Sequence, residues 1–253
     1  MGALDGRHVL ITGGGTGIGA AIARALSKEG ARLSLAGRRK GPLDAMAAAL
    51  PNTTAIIADI TQEADCAAML TAAQAAHGPV DIVIANAGAA SSAPAGKIDL
   101  KAWQQAIDVN MTGAFLTVSA SLADVTRAPG GRIVFIASTA GLKGYPYVAA
   151  YVAAKHGVVG LMKALSIELA SKGVTVNAVC PGFTDTPLLD AAADKISAKT
   201  GRSADDSRAV LAKDNAHGRL IKPEEVADAV LWLCSPDASS INGQAIAVTG
   251  GPL

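Results

Sequence analysis

Short β-branched or aliphatic runs alternate along the chain with longer alanine-rich stretches whose apolar positions recur at helical spacing. The runs predict strands at His8 to Thr12, Arg32 to Ala36, Ala55 to Asp59, Ile82 to Asn86, Arg132 to Ser138, Val174 to Val179 and Ala245 to Val248. Most are apolar nearly throughout, as strands covered on both faces are. Helices are predicted between them at Ile18 to Glu29, Leu43 to Leu50, Gln62 to Ala76, Leu100 to Leu122, Ala149 to Ser171 and Pro223 to Cys234, with Pro223 suited to a first helical turn. Regular alternation of the two implies βαβ units. The expected fold is therefore α/β, a doubly wound sheet of about seven parallel strands with helices on both faces.

One segment breaks the rhythm. After Pro181-Gly182 the chain runs through Thr186-Pro187-Leu188-Leu189 into a polar, alanine-rich stretch ending near Gly218. A long excursion after a strand's carboxyl end usually covers the ligand crevice of such a sheet, so residues 187–217 are read as a helical substrate flap. No stretch resembles a dividing linker, and residues 1–253 are read as one domain.

Composition narrows the partners. Half of the 253 residues are hydrophobic and the formal charge is +1, with no Lys/Arg cluster interleaved with aromatics, which argues against nucleic acid or an anionic membrane surface. Cys66, Cys180 and Cys234 lie far apart in apolar surroundings and read as buried free thiols. The four histidines form no His-x-x-x-His pair, so no metal site is expected. Met1 to His8 has no basic-then-apolar leader and no run approaches membrane-spanning length, which implies a cytoplasmic protein with small neutral partners.

The candidate chemistry lies between Ser138 and Lys155. Tyr151 and Lys155 are four residues apart and share a helix face, which Tyr145 and Tyr147 do not do with any lysine. A phenol ordinarily titrates near pH 10, and a nearby ammonium is expected to bring it toward acid/base work at neutral pH. Such a pair alone is commonly a solvated face; the rest of the chain raises its weight. Thr12-Gly13-Gly14-Gly15-Thr16-Gly17-Ile18-Gly19 joins the first strand to the first helix, where glycines permit positive φ and backbone N–H groups can approach a pyrophosphate. It lacks the Lys-Ser/Thr ending of a triphosphate loop, so a dinucleotide is favoured. The second strand ends in Gly37-Arg38-Arg39 without the carboxylate that would hold the ribose hydroxyls of NAD. Arg38 offers a planar fork for a 2′-phosphate, favouring NADP(H) over NAD(H), unless both arginines are solvated turn residues.

Taken together, Thr12-Gly13-x-x-x-Gly17-x-Gly19, Asn86-Ala87-Gly88, Ser138, Tyr151-x-x-x-Lys155 and Pro181-Gly182 resemble the short-chain dehydrogenase/reductase family in its compact, single-domain, Rossmann-type form. The resemblance runs from the first strand to Gly243-Gln244 and Gly250-Gly251. It implies that Tyr151 is the general acid/base, Ser138 holds the substrate oxygen, Lys155 lowers the Tyr151 pKa and grips the nicotinamide ribose, and Asn110 anchors a water. The implied cofactor residues are Gly13, Gly15, Thr16, Gly17, Ile18, Gly19, Arg38, Arg39, Asp59, Ile60, Asn86, Ala87, Gly88, Tyr151, Lys155, Pro181, Gly182, Thr184 and Thr186. Asn86 and Asn110 could instead bridge backbone groups, and Asp59 could cap the next helix. Thr16 is not the basic residue that many NADP-using members carry, which leaves Arg38 as the main argument for NADP(H).

The implied activity is interconversion of a ketone and a secondary alcohol. The substrate wall is read as Ser138, Leu142, Tyr145, Tyr147, Phe183, Leu188 and Leu189, apolar with a few hydroxyls and without an arginine for a small carboxylate. The favoured substrate is a 3-oxoacyl or 3-hydroxyacyl thioester; Arg127, Arg132 or Lys172 could meet a phosphorylated carrier, or be ordinary surface charges. The alternatives are a broad alcohol dehydrogenase for hydrophobic or cyclic ketones and a non-catalytic NADP(H) sensor. The long helices Leu100 to Leu122 and Ala149 to Ser171 resemble those that pack between subunits of tetrameric relatives, so a homotetramer is expected, with a dimer as the alternative.

Overall fold

The computed structural model describes residues 2–253. Strands β1 (His8–Thr12), β2 (Arg32–Gly37), β3 (Thr53–Ile57), β4 (Ile82–Ala85), β5 (Arg132–Ile136), β6 (Thr175–Pro181) and β7 (Ala245–Val248) form one sheet in the order β3-β2-β1-β4-β5-β6-β7. Every neighbouring pair is parallel. The helices are α1 (Gly17–Lys28), α2 (Lys40–Ala49), α3 (Glu63–His77), α4 (Leu100–Ile107), α5 (Gly113–Arg127), α6 (Ala149–Leu169), α7 (Pro187–Thr200), α8 (Ala204–Ala212) and α9 (Pro223–Cys234).

Alternate strand residues feed two cores. Leu10, Val83, Ile133, Phe135 and Val176 pack with α3, α5 and α6, whereas Val9, Ile11, Ile82, Ile84 and Val134 pack with α1, α2 and α9. Each core residue is nearly or fully withdrawn from water, so burial on both faces explains why the strands read as continuous apolar runs. The cysteines follow the same logic: Cys66 and Cys180 lie in the first core, Cys234 in the second, and burial pushes their thiols up to about 11, 11 and 12.

Several element boundaries differ from expectation. β3 lies two residues earlier than predicted because its ladder with Leu33 to Gly37 pairs Thr53 to Ile57, which frees Asp59 for a turn with Thr61. β4 and β5 end before Asn86 and Ser138, whose side chains are spent on neighbouring backbone. The segment expected to be a helical flap, residues 187–217, folds as two helices, α7 and α8. The helix predicted over Leu100 to Leu122 runs on to Arg127 and is interrupted at Asp108–Thr112 by a π turn. Leu100–Arg127, 28 residues long with an 18-residue stretch of mean hydropathy 1.2, also meets the length and composition of a membrane span, against the expectation that no run does. Its apolar content is explained by packing: Ala114, Val118 and Val125 are buried on the sheet, and buried Asp124 accepts from Gln74 (2.8 Å) and the Val80 N–H (3.0 Å).

At the amino-terminal edge, fully buried His8 sets Nδ1 against the Gly78 carbonyl (2.8 Å) and Nε2 against the Ser34 hydroxyl (2.9 Å), edge-on to His77 at 5.2 Å. Burial holds both imidazoles below their ordinary pKa; repulsion between the rings and from Arg32 adds to this at His8, partly offset by the Gly78 and Pro79 carbonyls. Asp81 accepts from the His8 backbone N–H at 2.8 Å. The unfolded chain therefore takes up protons near pH 6.5 while the folded chain does not, and stability falls as pH drops below that value. Thermal melts from about pH 7.5 to about pH 5 should show a declining Tm, with a shallower decline in His8→Gln. Parallel declines in both proteins would remove His8 from the explanation.

Candidate active site

Chain order reverses between β1 and β4, so the loops leaving their carboxyl ends diverge and open a crevice. Thr12 and Asn86 stitch its floor. The Thr12 hydroxyl accepts from the Asn86 and Ala87 N–H groups (3.1 and 3.2 Å), and Asn86 Nδ2 donates to the Thr12 carbonyl (2.8 Å). Above this floor the chain turns through Gly13 and Gly17, both at positive φ (68° and 54°). A Cβ on Gly19 would lie 2.2 Å from the Gly13 carbonyl oxygen, so only glycine lets α1 abut the turn. Gly15 backs onto Pro42 and Leu43, and Ile18 packs into the core beneath. α1 has no acidic residue in its first turn and no side chain capping its N–H groups, which leaves its positive end unneutralised and fit for an anion.

Two arginines border this end. Arg38 lies 3.9 Å from Asp59, which accepts from the Thr61 N–H (3.0 Å) and hydroxyl (2.8 Å). These bonds, led by the Thr61 N–H and helped by Arg38, hold the Asp59 carboxyl below its usual range. The α3 N-cap is Gln62, so Asp59 does not cap that helix. Arg39 donates to the Thr16 hydroxyl at 3.0 Å, delivering a cation to the glycine turn itself. Sequence spacing gave no sign of this contact, because Arg39 and Thr16 are brought together only by the pairing of β1 with β2. Arg38, Asp59 and Thr61 face α4 residues Leu100 and Gln104, and Asp108 beyond them, across a cleft of about 790 Å³. Ile60 turns inward and is buried against Gly113, so its side chain serves the core.

On the far side of the stitch, Lys155 is 4 % exposed and donates from Nζ to the Ile136 carbonyl (2.8 Å), 5.7 Å from the Tyr151 ring centre. Its remaining N–H groups are available to a ligand. Asn110 sits in the π turn and is fully engaged, accepting from the Ala89 N–H (3.1 Å) and donating to the Ala89 and Ala106 carbonyls (2.8 and 2.9 Å). The bland alternative, that Asn110 and Asn86 bridge backbone, describes their side-chain bonds. Ser138 caps a short turn through Ala140 N–H (3.1 Å) and faces Tyr151. Burial raises the Tyr151 pKa, and a hydrogen bond with Ser138 offsets part of the rise. This corrects the expectation that Lys155 lowers it: the lysine is itself pushed down to about 8 by burial.

The residues expected to form the substrate wall come together in part. Phe183 meets Tyr145 edge-on at 5.9 Å, and the Tyr145 hydroxyl donates to Thr139 at 2.8 Å, next to Ser138. Leu142 packs on the core below them. Tyr147 (66 % exposed) and Leu188 lie on the rim, while Leu189 is on the buried face of α7. Tyr147 adopts positive φ (67°), unusual for a bulky residue, and its carbonyl accepts from the Ala93 N–H at 2.8 Å. Pro181 ends β6, and the Gly182 N–H donates to the Val248 carbonyl (3.0 Å). The Thr184 hydroxyl donates back to the Gly182 carbonyl (3.0 Å), and Thr186 caps α7 beside Gly17.

Arg127, Arg132 and Lys172 do not reach the crevice. They lie at the amino-terminal entrances of β5 and β6, the opposite edge of a parallel sheet, and Arg132 is buried on the Gly130 and Gly131 carbonyls. Their expected role toward a carrier is therefore withdrawn.

A Cβ on Gly88 would stand 2.9 Å from Asn110 Oδ1 and 3.6 Å from Lys155 Nζ, so this glycine keeps the space between the two groups open. Gly88→Ala should lower kcat/KM by roughly tenfold or more through displacement of these groups, with circular dichroism unchanged. Wild-type kinetics in that variant would mean that the contact does not matter.

The family model described as short chain dehydrogenase matches residues 7–197. A cis-4-hydroxycyclohexanecarboxylate dehydrogenase of Sinomonas cyclohexanicum is 36 % identical over 97 % of this chain and 96 % of its own. A D-beta-hydroxybutyrate dehydrogenase of Rhizobium meliloti is 34 % identical over 97 % and 98 %. The crystal structure of a variant actinorhodin polyketide ketoreductase with NADPH superposes with a TM-score of 0.93 at 34 % identity, covering 99 % of this chain and 98 % of that one. With the glycine turn, the Tyr151–Lys155 pair and the switch-point crevice in place, the chain belongs to the short-chain dehydrogenase family and is an NAD(P)-dependent oxidoreductase that interconverts ketones and secondary alcohols.

Proposed function

We propose that the protein is a ketoreductase for 3-oxoacyl thioesters, working reversibly on the 3-hydroxyacyl form and preferring NADP(H). The observation that carries this reading is the convergence of Ser138, Tyr151 and Lys155 beside a glycine turn bordered by two arginines. The residues fit a dinucleotide. The unopposed α1 N-terminus suits a pyrophosphate, Lys155 has donors to spare for ribose hydroxyls, and Asp59, Asn86, Gly88 and Thr186 border the path between. Arg38 and Arg39 together form the cationic fork for a 2′-phosphate, which offsets the lack of a basic residue at position 16.

Bound nicotinamide supplies or accepts the hydride. The chain supplies the proton. The raised Tyr151 pKa keeps its hydroxyl protonated at neutral pH, as a general acid toward a carbonyl oxygen must be, and Ser138 steadies that oxygen. The Ser138 hydrogen bond favours the phenolate needed in the opposite direction, Lys155 holds the ribose, and Asn110 acts on the reaction by fixing the loop that carries Gly88. Residues 1–253 then act as one catalytic domain in which α7 and α8 form the substrate flap, and Tyr145, Phe183 and Leu142 form the wall. The relative acting on a cyclohexane alcohol supports a second reading, a broad reductase of cyclic or hydrophobic ketones, for which the same aromatic wall is suited.

Assembly belongs to this proposal. Half-exposed Phe115 borders a hollow of about 320 Å³ with Met111, Gly157 and Leu161 on α5 and α6 and the turn before them, and Ile167 is 81 % exposed farther along α6. A homotetramer covers this apolar face, and light scattering should return about four times the chain mass; a monomer would overturn the assembly.

A panel of 3-oxoacyl thioesters and cyclic ketones with NADPH and NADH, followed at the nicotinamide absorbance, tests the reading. Thioester turnover with an NADPH preference of roughly tenfold or more is expected; turnover confined to cyclic ketones selects the second reading. Tyr151→Phe should abolish turnover and leave cofactor affinity intact. Because burial raises the phenol's pKa, ketone reduction should stay level through neutrality and decline in alkali, while alcohol oxidation climbs with pH. A reduction rate that climbs toward alkali would remove Tyr151 as the acid.

A further inference from the structure

The flap is fastened at its root by a contact that none of the chemistry above uses. Arg208, on α8, directs one guanidinium nitrogen to Asp185 at 2.5 Å and another to Asp190. The two carboxylates bracket Thr186. That residue caps α7, its hydroxyl accepting from the Leu189 N–H (3.4 Å) and donating to the Thr184 carbonyl (3.2 Å). From the other side, Gly17 approaches so closely that a Cβ there would sit 3.3 Å from the Thr186 methyl carbon. Thr186 thus lies directly over the glycine turn, and Arg208 holds the chain on both sides of it.

The cation is better fixed than its partners. Arg208 is 26 % exposed, against 56 % and 53 % for the two carboxylates. α8 is anchored by the Ser203 cap (3.0 Å to Asp206 N–H) and by a hydroxyl pair, Ser197 with Ser207, at 2.9 Å to α7. The returning segment is held independently by uncharged bonds: Asn215 accepts from the Phe183 N–H (3.0 Å) and donates to the Phe183 carbonyl (2.9 Å), and the Asp185 N–H donates to the Ile221 carbonyl (2.9 Å). Loss of the ion pairs therefore frees the Thr186 segment without dismantling the flap. One planar fork engaging two acids is a geometry that a lysine reproduces only in part.

We propose that Arg208 is a positioning residue that latches Asp185 and Asp190 across the Thr186 turn and so sets how long the nicotinamide cofactor stays bound. The inference rests on the reading of Thr186 and the glycine turn as cofactor contacts. Half-exposed ion pairs weaken with salt, so the latch has an ionic signature that a packing role lacks.

The test is stopped-flow displacement of NADPH from the full chain at low and high salt, in wild type, Arg208→Ala, Arg208→Lys, the charge-swapped pair Arg208→Asp/Asp190→Arg, and Lys28→Ala as a remote charge control. Wild-type release should quicken with salt. Arg208→Ala should release roughly five- to tenfold faster at low salt and show a weaker salt dependence, that of the Arg38 and Arg39 contacts alone, with Lys and the swapped pair recovering part of both. Wild-type release rates and salt dependence in Arg208→Ala and Arg208→Lys would overturn the latch alone. Failure of the wild type to bind either NADPH or NADH would overturn the reading of the site, and the latch with it.

Discussion

Parallel pairing of β1 with β4 is the constraint on which the rest depends. It places the carboxyl ends of two strands that are distant in sequence side by side, with their outgoing loops running apart. Backbone hydrogen bonds at that seam cannot continue, so Thr12 and Asn86 complete them with side chains. Every group with chemical potential, from the glycine turn to Ser138 and Lys155, lies on this edge. The same constraint sends the basic residues that precede β5 and β6 to the opposite edge, beyond reach of any ligand in the crevice.

The site costs stability. Lys155 keeps its charge at neutral pH although burial brings its pKa from 10.5 down to about 8, a penalty on the order of 3 kcal/mol. The unfolded chain holds this proton to higher pH than the folded chain, so the penalty fades as pH rises between the two values. A neutral side chain of similar length would stabilise the fold and remove the charge the reaction uses. This local conflict with good packing is expected of a working site.

Much of this was legible in the sequence. Apolar runs and glycine spacing depend on the chain's own period, so the strand positions, the α1 turn and the Tyr151–Lys155 face could be read directly. Contacts set by tertiary placement could not. Arg39 reaches Thr16 and Arg208 reaches Asp185 only because distant elements meet, and neither pair has a characteristic spacing. The direction of the Tyr151 shift is hidden for a related reason: proximity of the lysine is visible in a helical repeat, whereas the depth of burial that raises the phenol's pKa is not. The π turn at Asn110 is likewise hidden, since one added residue in a helix leaves no compositional mark.

The three buried thiols have a consequence of a different kind. Each is protonated and shielded in the fold, so alkylating reagents gain access only through opening of the surrounding layer. Cys66 belongs to α3, Cys180 to the interior strand β6 and Cys234 to α9 on the opposite face. The chain thus carries one built-in label in each of its three strata, and the order in which they react traces how the molecule comes apart.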